Sequence, residues 1–429
     1  MSRLEEALEQ SARFGVKPGL DAIRAVCAAM GDPQDALRVV HVAGTNGKGA
    51  VCAFIDSALR AAGFRTGRYT SPHLVSLNER FFLDGAPVPE SKLDSAFLQL
   101  LSSTTNNQLP TTNDQRLTTN DQRLTNLTYF ELLTATAFAL YRQEEVDYLV
   151  LETGLGGRLD ATNVVKRPEV CVITRIGLDH CDWLGHTLAE IAAEKGGIIK
   201  PEVPVVLGAM PGEAQSMLAR IATDRHASCL YAPESVDEGS VPKDLALGGR
   251  FNRENAVTAR VALKVLGVGQ EAVERGFASV VWPGRYQRIE RDGRSFLVDG
   301  AHNPPAMRAL VDSLRAEPPV AEGGFSVRTV ICGFCGDKDV AANLAILREV
   351  ADVGFAVPIR NPRSLPPERT AALMRAAGVR SVETCTSLRA ALDRASDGTV
   401  VCGSLFLAGE ALEILAPTSG SHFTPNESF

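Results

Sequence analysis

Leu37-Arg-Val-Val-His-Val-Ala-Gly-Thr-Asn-Gly-Lys-Gly-Ala-Val-Cys-Ala-Phe-Ile-Asp-Ser-Ala-Leu59 is the stretch that decides the fold. Its first seven residues form a short, largely β-branched run, which reads as a buried strand. Gly44-Thr-Asn-Gly-Lys-Gly49 follows as a loop. Val51, Phe54, Ile55, Ala58 and Leu59 then recur at helical spacing, and Gly63 fits a helix stop. In a strand–loop–helix unit of this kind, glycines let successive backbone N–H groups face anionic oxygens. The helix N-terminus adds favourable partial charge, and Lys48 adds a mobile full charge. Gly44, Thr45, Asn46, Gly47, Lys48 and Gly49 therefore read as a phosphate-binding loop. The generic eight-residue Walker pattern fails, because Val42 stands where its first glycine belongs. A glycine turn with an exposed lysine is the plainer alternative; the strand before and the helix after favour nucleotide binding.

Outward from this unit the alternation repeats. Residues 1–30 read as amphipathic helices. Residues 146–152, 170–174 and 204–207 read as strands separated by helical stretches, so the sheet is expected to be mostly parallel and covered on both faces. The pattern restarts near Trp282-Pro-Gly-Arg285, with strand-like runs at 296–299, 328–332, 354–359 and 398–402. The expected fold class is α/β: a phosphate-loop-type, mostly parallel sheet domain over 1–281, then a smaller Rossmann-like α/β domain over 282–416. Thr111-Thr-Asn-Asp-Gln-Arg-Leu117 is repeated at once as Thr118-Thr-Asn-Asp-Gln-Arg-Leu124. This polar duplication lacks a core pattern and reads as a surface-loop expansion within 103–126. Residues 417–429 read as a disordered tail.

At 429 residues the chain has room for two or three domains, and a 45% apolar, 22% charged composition suits a soluble globular protein. A net charge of −7 argues against a nucleic-acid or anionic-membrane partner. The N-terminus lacks a signal-peptide layout, and no run reaches the roughly 18 apolar residues of a membrane span. The expectation is a cytoplasmic monomer acting on small molecules. The nine cysteines are scattered and read as buried free thiols; Cys332-Gly-Phe-Cys335 has CxxC spacing but no second pair for zinc.

With these residues in view, a family resemblance emerges. His41–Gly49 resembles the phosphate loop of folylpolyglutamate and dihydrofolate synthases, within the Mur ligase superfamily. Tyr69-Thr-Ser-Pro-His-Leu74, Asn78-Glu-Arg80, Leu151-Glu-Thr-Gly-Leu-Gly-Gly-Arg-Leu-Asp-Ala-Thr-Asn163, Gly177-Leu-Asp-His180, Leu184-Gly-His-Thr187, Glu194-Lys195, Asn252-Arg-Glu-Asn255, Pro283-Gly-Arg285, Asp299-Gly-Ala-His-Asn-Pro304 and Gly403-Ser-Leu-Phe-Leu-Ala-Gly409 continue it in order. The resemblance spans about residue 15 to residue 412. It implies an ATP-dependent ligase joining L-glutamate to a dihydropteroate or folate carboxylate through an acyl phosphate, with ATP held between two domains.

The resemblance also assigns roles. Lys48 contacts phosphate, and Asn255, Arg285 and Asp299 contact ATP. Ser71, Glu152, His180 and Lys195 would hold magnesium, two ions in all, with Lys195 carbamylated to an anion. Lys48, Glu152, His180 and Lys195 form the implied catalytic set. His302 and Ser404 would position glutamate. Thr128, Tyr129, Phe130 and Glu131, with Leu159, Asp160 and Ala161, would line the pteroate pocket. Taken without the family, Glu152 is a strand-end carboxylate, Lys195 a cation favoured at a helix C-terminus, Asp299 a helix cap and Phe130 a core aromatic. Thr187-Leu-Ala-Glu190 reads as a capping box in either case.

Three positions depart from the family pattern: Ala50 where a serine is usual, Gly196 where an alanine is usual, and Pro305 where a histidine is common. Two other readings stay open. A cell-wall Mur-type ligase acting on a UDP-linked peptide uses the same chemistry but carries a further domain before the phosphate loop, and only residues 1–43 precede Gly44. A nucleotide-dependent switch without ligase activity would explain the loop, but not Glu152, His180 and Lys195 in order.

Overall fold

The computed structural model describes residues 2–11, 15, 19–104, 126–236, 238–318 and 324–416. The duplicated 111–124 segment and the 417–429 tail lie outside the described residues; the helix Glu90–Thr104 leads up to the former.

Two sheets organise the chain. The first contains β1 (Val39–Ala43), β2 (Thr66–Tyr69), β3 (Phe81–Leu83), β4 (Ala86–Pro87), β5 (Tyr148–Glu152), β6 (Val170–Ile173), β7 (Val205–Leu207) and β8 (Cys229–Tyr231), in the order β4-β3-β2-β5-β1-β6-β7-β8. From β2 to β8 the pairing is parallel; β3 and β4 are antiparallel at one edge. Every residue of β1 is buried, as expected of a central parallel strand covered on both faces. The alternation of side chains puts Val39 into one core with Leu149 and Leu151, and Val40 and Val42 into another with Val150 and Val172. The first core is closed by the helices Asp21–Ala29, Glu90–Thr104 and Tyr129–Gln143, the second by Lys48–Ala61, Arg250–Val265 and Gln270–Ser279.

The second sheet contains β9 (Gln287–Arg291), β10 (Arg294–Val298), β11 (Thr329–Cys332), β12 (Val353–Ala356), β13 (Ser381–Thr384) and β14 (Thr399–Cys402), in the order β13-β12-β11-β14-β10-β9. Only β9 is antiparallel. The α/β class read from the sequence is the observed one. The edge strands went unread because they lack the apolar signal: β13 is wholly solvent-facing or half-buried, and β9 is Gln-Arg-Ile-Glu-Arg.

Seven of the nine cysteines are buried, Cys181 is half-buried and Cys229 is exposed; all are free thiols. Among the described residues, no helix is long and apolar enough to cross a membrane.

Candidate active site

The carboxyl ends of the two sheets meet at one cleft, the place where open α/β sheets bind ligands. On the first side, β1 runs into Gly44–Gly49. Gly47 has φ 89°, the left-handed region, and stands just before the helix Lys48–Ala61. A Cβ on Gly44 would lie 1.8 Å from Thr174 Oγ1, and one on Gly49 would lie 2.2 Å from the Trp282 ring. The loop is pinned by the Thr45 N–H donating to the Arg175 carbonyl (2.9 Å) and Thr174 Oγ1 donating to the Asn46 carbonyl (2.8 Å). Lys48 Nζ lies 3.8 Å from Glu152 Oε1, at the end of β5. Glu152 Oε2 accepts the Ser71 N–H at 3.2 Å. Burial raises the Glu152 pKa, opposed by Lys48, the Ser71 N–H, Arg285 and Arg68.

The second sheet supplies the facing wall. Asp299 follows β10 and is buried; it accepts the Tyr286 N–H on Oδ2 and the Ala301 N–H on Oδ1, both at 2.8 Å. Burial raises its pKa against the opposing charge of Arg285. Burial in turn lowers the pKa of Arg285, opposed by the charges of Asp299 and Glu152, one carboxylate from each half. His302 Nδ1 is 2.8 Å from the Gly300 carbonyl. Ser404 follows β14, is buried, and caps the helix Leu405–Leu415 by accepting the Phe406 N–H. Asn255, on the helix Arg250–Val265, faces the phosphate loop: its Oδ1 is 2.3 Å from where a Cβ on Gly47 would sit.

Lys195 lies near the end of the helix Leu188–Gly196, whose Thr187 and Glu190 form the expected capping box. It is only 4% exposed, and burial followed by the Lys48 charge lowers its pKa to about 7, against Asp179 and Asp160. A good part of it is therefore a neutral amine near neutral pH. Burial also lowers His180 to about 4, opposed by Asp179, with Lys338, Lys48 and Lys195 adding to the lowering. The imidazole is then neutral and able to donate a lone pair. Asp179 moves the other way: burial opposes its ionisation, but His180, Lys338 and His302 hold its pKa well below the usual carboxylate range.

The cleft is lined by the phosphate loop, Ser71, Glu152, His180, Lys195, Asn255, Arg285, Asp299, His302 and Ser404 together. Residues 284–407 match the family described as Mur ligase, glutamate ligase domain. The chain is 34% identical over 411 residues to the dihydrofolate synthase/folylpolyglutamate synthase of Escherichia coli (strain K12), covering 92% of this chain and 91% of that one. It belongs to the folylpolyglutamate synthase family. A solved Mycobacterium tuberculosis folylpolyglutamate synthase complexed with ADP superposes with a TM-score of 0.83 at 30% identity, covering 96% of this chain and 98% of that one. A bifunctional folylpolyglutamate synthase/dihydrofolate synthase solved with Mn, AMPPNP and L-glutamate bound has a TM-score of 0.77 at 29% identity, covering 97% and 98%.

In this member of the folylpolyglutamate synthase family, the pteroate candidates stand apart from the cleft wall. Thr128 and Glu131 are buried and form a reciprocal capping box that opens the helix Tyr129–Gln143. The Asp160 carboxylate accepts the Leu155 N–H (2.8 Å), the Thr162 N–H (3.0 Å) and the Thr162 hydroxyl. Ala161 is core, Tyr129 lies beside Arg80, and Leu159 is exposed. Phe130 packs behind Gly154, where a Cβ would come within 2.7 Å of its ring, and Gly154 lines the cleft.

Sequence reading missed Trp282, Asp179 and Lys338 as cleft-lining side chains, and Asn303 beside Asp179. Lys338 lies in Gly336-Asp-Lys-Asp339, the loop after β11, and that position alone was the available signal. The departures also gain reasons. A Cβ on Gly196 would lie 2.7 Å from Ile221 Cδ1, so the glycine permits close packing against the helix Gly212–Asp224 rather than merely loosening a helix end. Ala50 is buried against the second core, and Pro305 lies in the first turn of the helix Pro304–Arg315.

Among the described residues, no group of three or more His, Cys, Asp or Glu side chains forms a metal cage. Magnesium does not need one, since it commonly takes one or two carboxylates and fills its shell with water and phosphate oxygen. The residues present fit that habit: Glu152 is a buried carboxylate with one N–H donor and one lysine at 3.8 Å, beside the phosphate loop.

Proposed function

We propose that this cleft forms an amide between L-glutamate and a dihydropteroate or reduced-folate carboxylate at the expense of ATP. The supporting observation is that Lys48 and Glu152 from one sheet line the same cleft as Arg285, Asp299, His302 and Ser404 from the other. Residues 1–281 supply the phosphate loop and Asn255, and 282–416 close over the nucleotide with Arg285 and Asp299 and present the amino acid.

The substrate carboxylate oxygen attacks the γ-phosphorus, the bond from that phosphorus to the β-bridging oxygen breaks, and ADP leaves with the electron pair. The glutamate amine attacks the acyl carbon, inorganic phosphate departs, and the amine proton passes to a base. Lys48 and Arg285 hold the phosphoryl group and the two anions together. Glu152, His180 and Ser71 would hold magnesium, and two ions are drawn if Lys195 carries a carbamate. When bound, the metal neutralises phosphate charge as a Lewis acid. The neutral Lys195 amine adds carbon dioxide and loses a proton, giving an anionic carbamate whose oxygens would face the metal. His302 and Ser404 orient the glutamate. Phe130, behind Gly154, borders the space for the flat heterocycle. The enzyme works as a cytoplasmic monomer.

An ADP-release assay tests this, with dihydropteroate or tetrahydrofolate, each with L-glutamate and magnesium. The expected result is ADP formation that requires both organic substrates. Release without either would favour a nucleotide switch, and dependence on a UDP-linked peptide would favour a cell-wall ligase.

A further inference from the structure

Asn303 follows His302 and is only 3% exposed. Its side chain uses every hydrogen-bonding position it has. Oδ1 accepts the Ala306 N–H at 2.9 Å, capping the helix Pro304–Arg315, and also accepts Asn46 Nδ2 at 3.2 Å. Nδ2 donates to Asp179 Oδ2 at 2.7 Å and to Asn46 Oδ1 at 3.3 Å. The amide orientation is fixed by its neighbours, since one end meets a backbone donor and the other a carboxylate. Asn46 belongs to the phosphate loop, and Asp179 precedes His180. Lys338 Nζ, also from the second sheet's side, donates to the other oxygen of Asp179 at 3.0 Å.

We infer that Asn303 is a positioning residue that docks the glutamate-bearing domain onto the phosphate loop and so sets the distance between the amine and the acyl group. One end of its amide holds the first turn of a second-domain helix; the other end holds two first-domain side chains. Its backbone continues into His302 on one side, and the Asp299–Ala301 turn lies just beyond. A shift at this junction moves the second wall of the cleft as a body. Misplacement of reacting groups by about 1 Å costs on the order of 100-fold in rate. The inference deepens the ligase reading and rests on it for the chemistry, while the docking itself stands on the contacts.

The cap and the bridge can be separated. Asn303→Ser keeps a capping hydroxyl but is too short to reach Asp179. Asn303→Asp keeps the cap and sets a second carboxylate against Asp179. Both are expected to melt within a few degrees of the wild type and to lose about 100-fold in glutamate-dependent kcat. The double variant Asp179→Asn/Asn303→Asp exchanges donor and acceptor across the same gap, and should regain at least about tenfold over Asn303→Asp alone. A purely local helix cap would not respond to a change at Asp179. Small-angle scattering with AMPPNP and magnesium reads docking without turnover: Asn303→Asp should be more extended than the wild type, and the double variant should return to the compact form. Near-wild-type turnover in Asn303→Ser, or a double variant no better than Asn303→Asp in both rate and scattering, overturns the inference. If the wild type shows no folate- and glutamate-dependent ADP release, the ligase reading fails instead, and scattering alone decides the docking.

Discussion

Glu152 and Asp160 lie on one connected segment, both buried, and burial pushes both carboxylates upward. Their partners differ. Asp160 spends its oxygens on the Leu155 and Thr162 N–H groups and the Thr162 hydroxyl, all within its own loop. Glu152 accepts one N–H at 3.2 Å and otherwise faces Lys48 at 3.8 Å across open cleft. A buried carboxylate left this short of donors is costly to the fold and available to a ligand. One with its oxygens taken is a structural fastener. The same distinction separates Lys195 and Arg285, which line the cleft, from Thr128 and Glu131, which satisfy each other at a helix start.

The sharpest way to break this comparison is at its cationic partner. Lys48→Ala should lower turnover by about 1000-fold while far-UV circular dichroism stays unchanged, as removal of a phosphate-clamping charge does; near-normal rates would remove Lys48 from the site. Glu152→Gln comes next, with about 100-fold lower kcat and a raised magnesium requirement. Its thermal behaviour carries the comparison. The folded-state pKa of Glu152 lies above its unfolded value, so the folded protein binds more protons between the two, and stability falls as pH rises through that window. At neutral pH the glutamine variant should therefore melt no lower than the wild type; a clear loss of melting temperature would make Glu152 structural.

Lys195 gives a pH test. Only the unprotonated amine takes up carbon dioxide, so with a pKa near 7 carbamate falls as pH drops below 7, and activity with it. Added bicarbonate at pH 6 should restore part of the rate, and a ¹³C-bicarbonate NMR signal should vanish in Lys195→Ala. An unmodified Lys195 in the mass spectrum of the magnesium- and ATP-bound enzyme would sink the carbamate.

The structural side of the comparison predicts smaller effects. Asp160→Asn turns an amide N–H donor toward backbone or hydroxyl donors and should cost about 1–3 kcal/mol in denaturant unfolding. An unchanged melting point with a raised KM for the folate substrate would return Asp160 to the pteroate pocket. Thr128→Ala should cost about 1 kcal/mol through the lost cap, with folate KM unchanged.

Much of this was legible in advance for physical reasons. A central parallel strand is apolar on both faces, so β1, β5, β6 and β7 stand out in sequence, and a phosphate loop needs glycines and a lysine in one short run. Edge strands such as β9 and β13 carry polar residues on exposed faces and give no such signal. Asn303 and Lys338 were invisible for another reason: each matters through a partner far along the chain, Asp179 lying 124 positions before Asn303 and 159 before Lys338.

What the sequence by itself determined is the local machinery: the strand–loop–helix that presents N–H groups and Lys48, the capping box at Thr187, and the order of motifs that marks the family. Those features depend on backbone geometry within a few residues, where residue type is decisive. The tertiary structure alone decided which polar groups remain unspent. Thr128, Asp160 and Glu152 are equally polar in one dimension. Thr128 and Asp160 meet their partners within their own turns; only the packing of two sheets, end to end, leaves Glu152 at the cleft with one N–H donor and Lys48 at 3.8 Å.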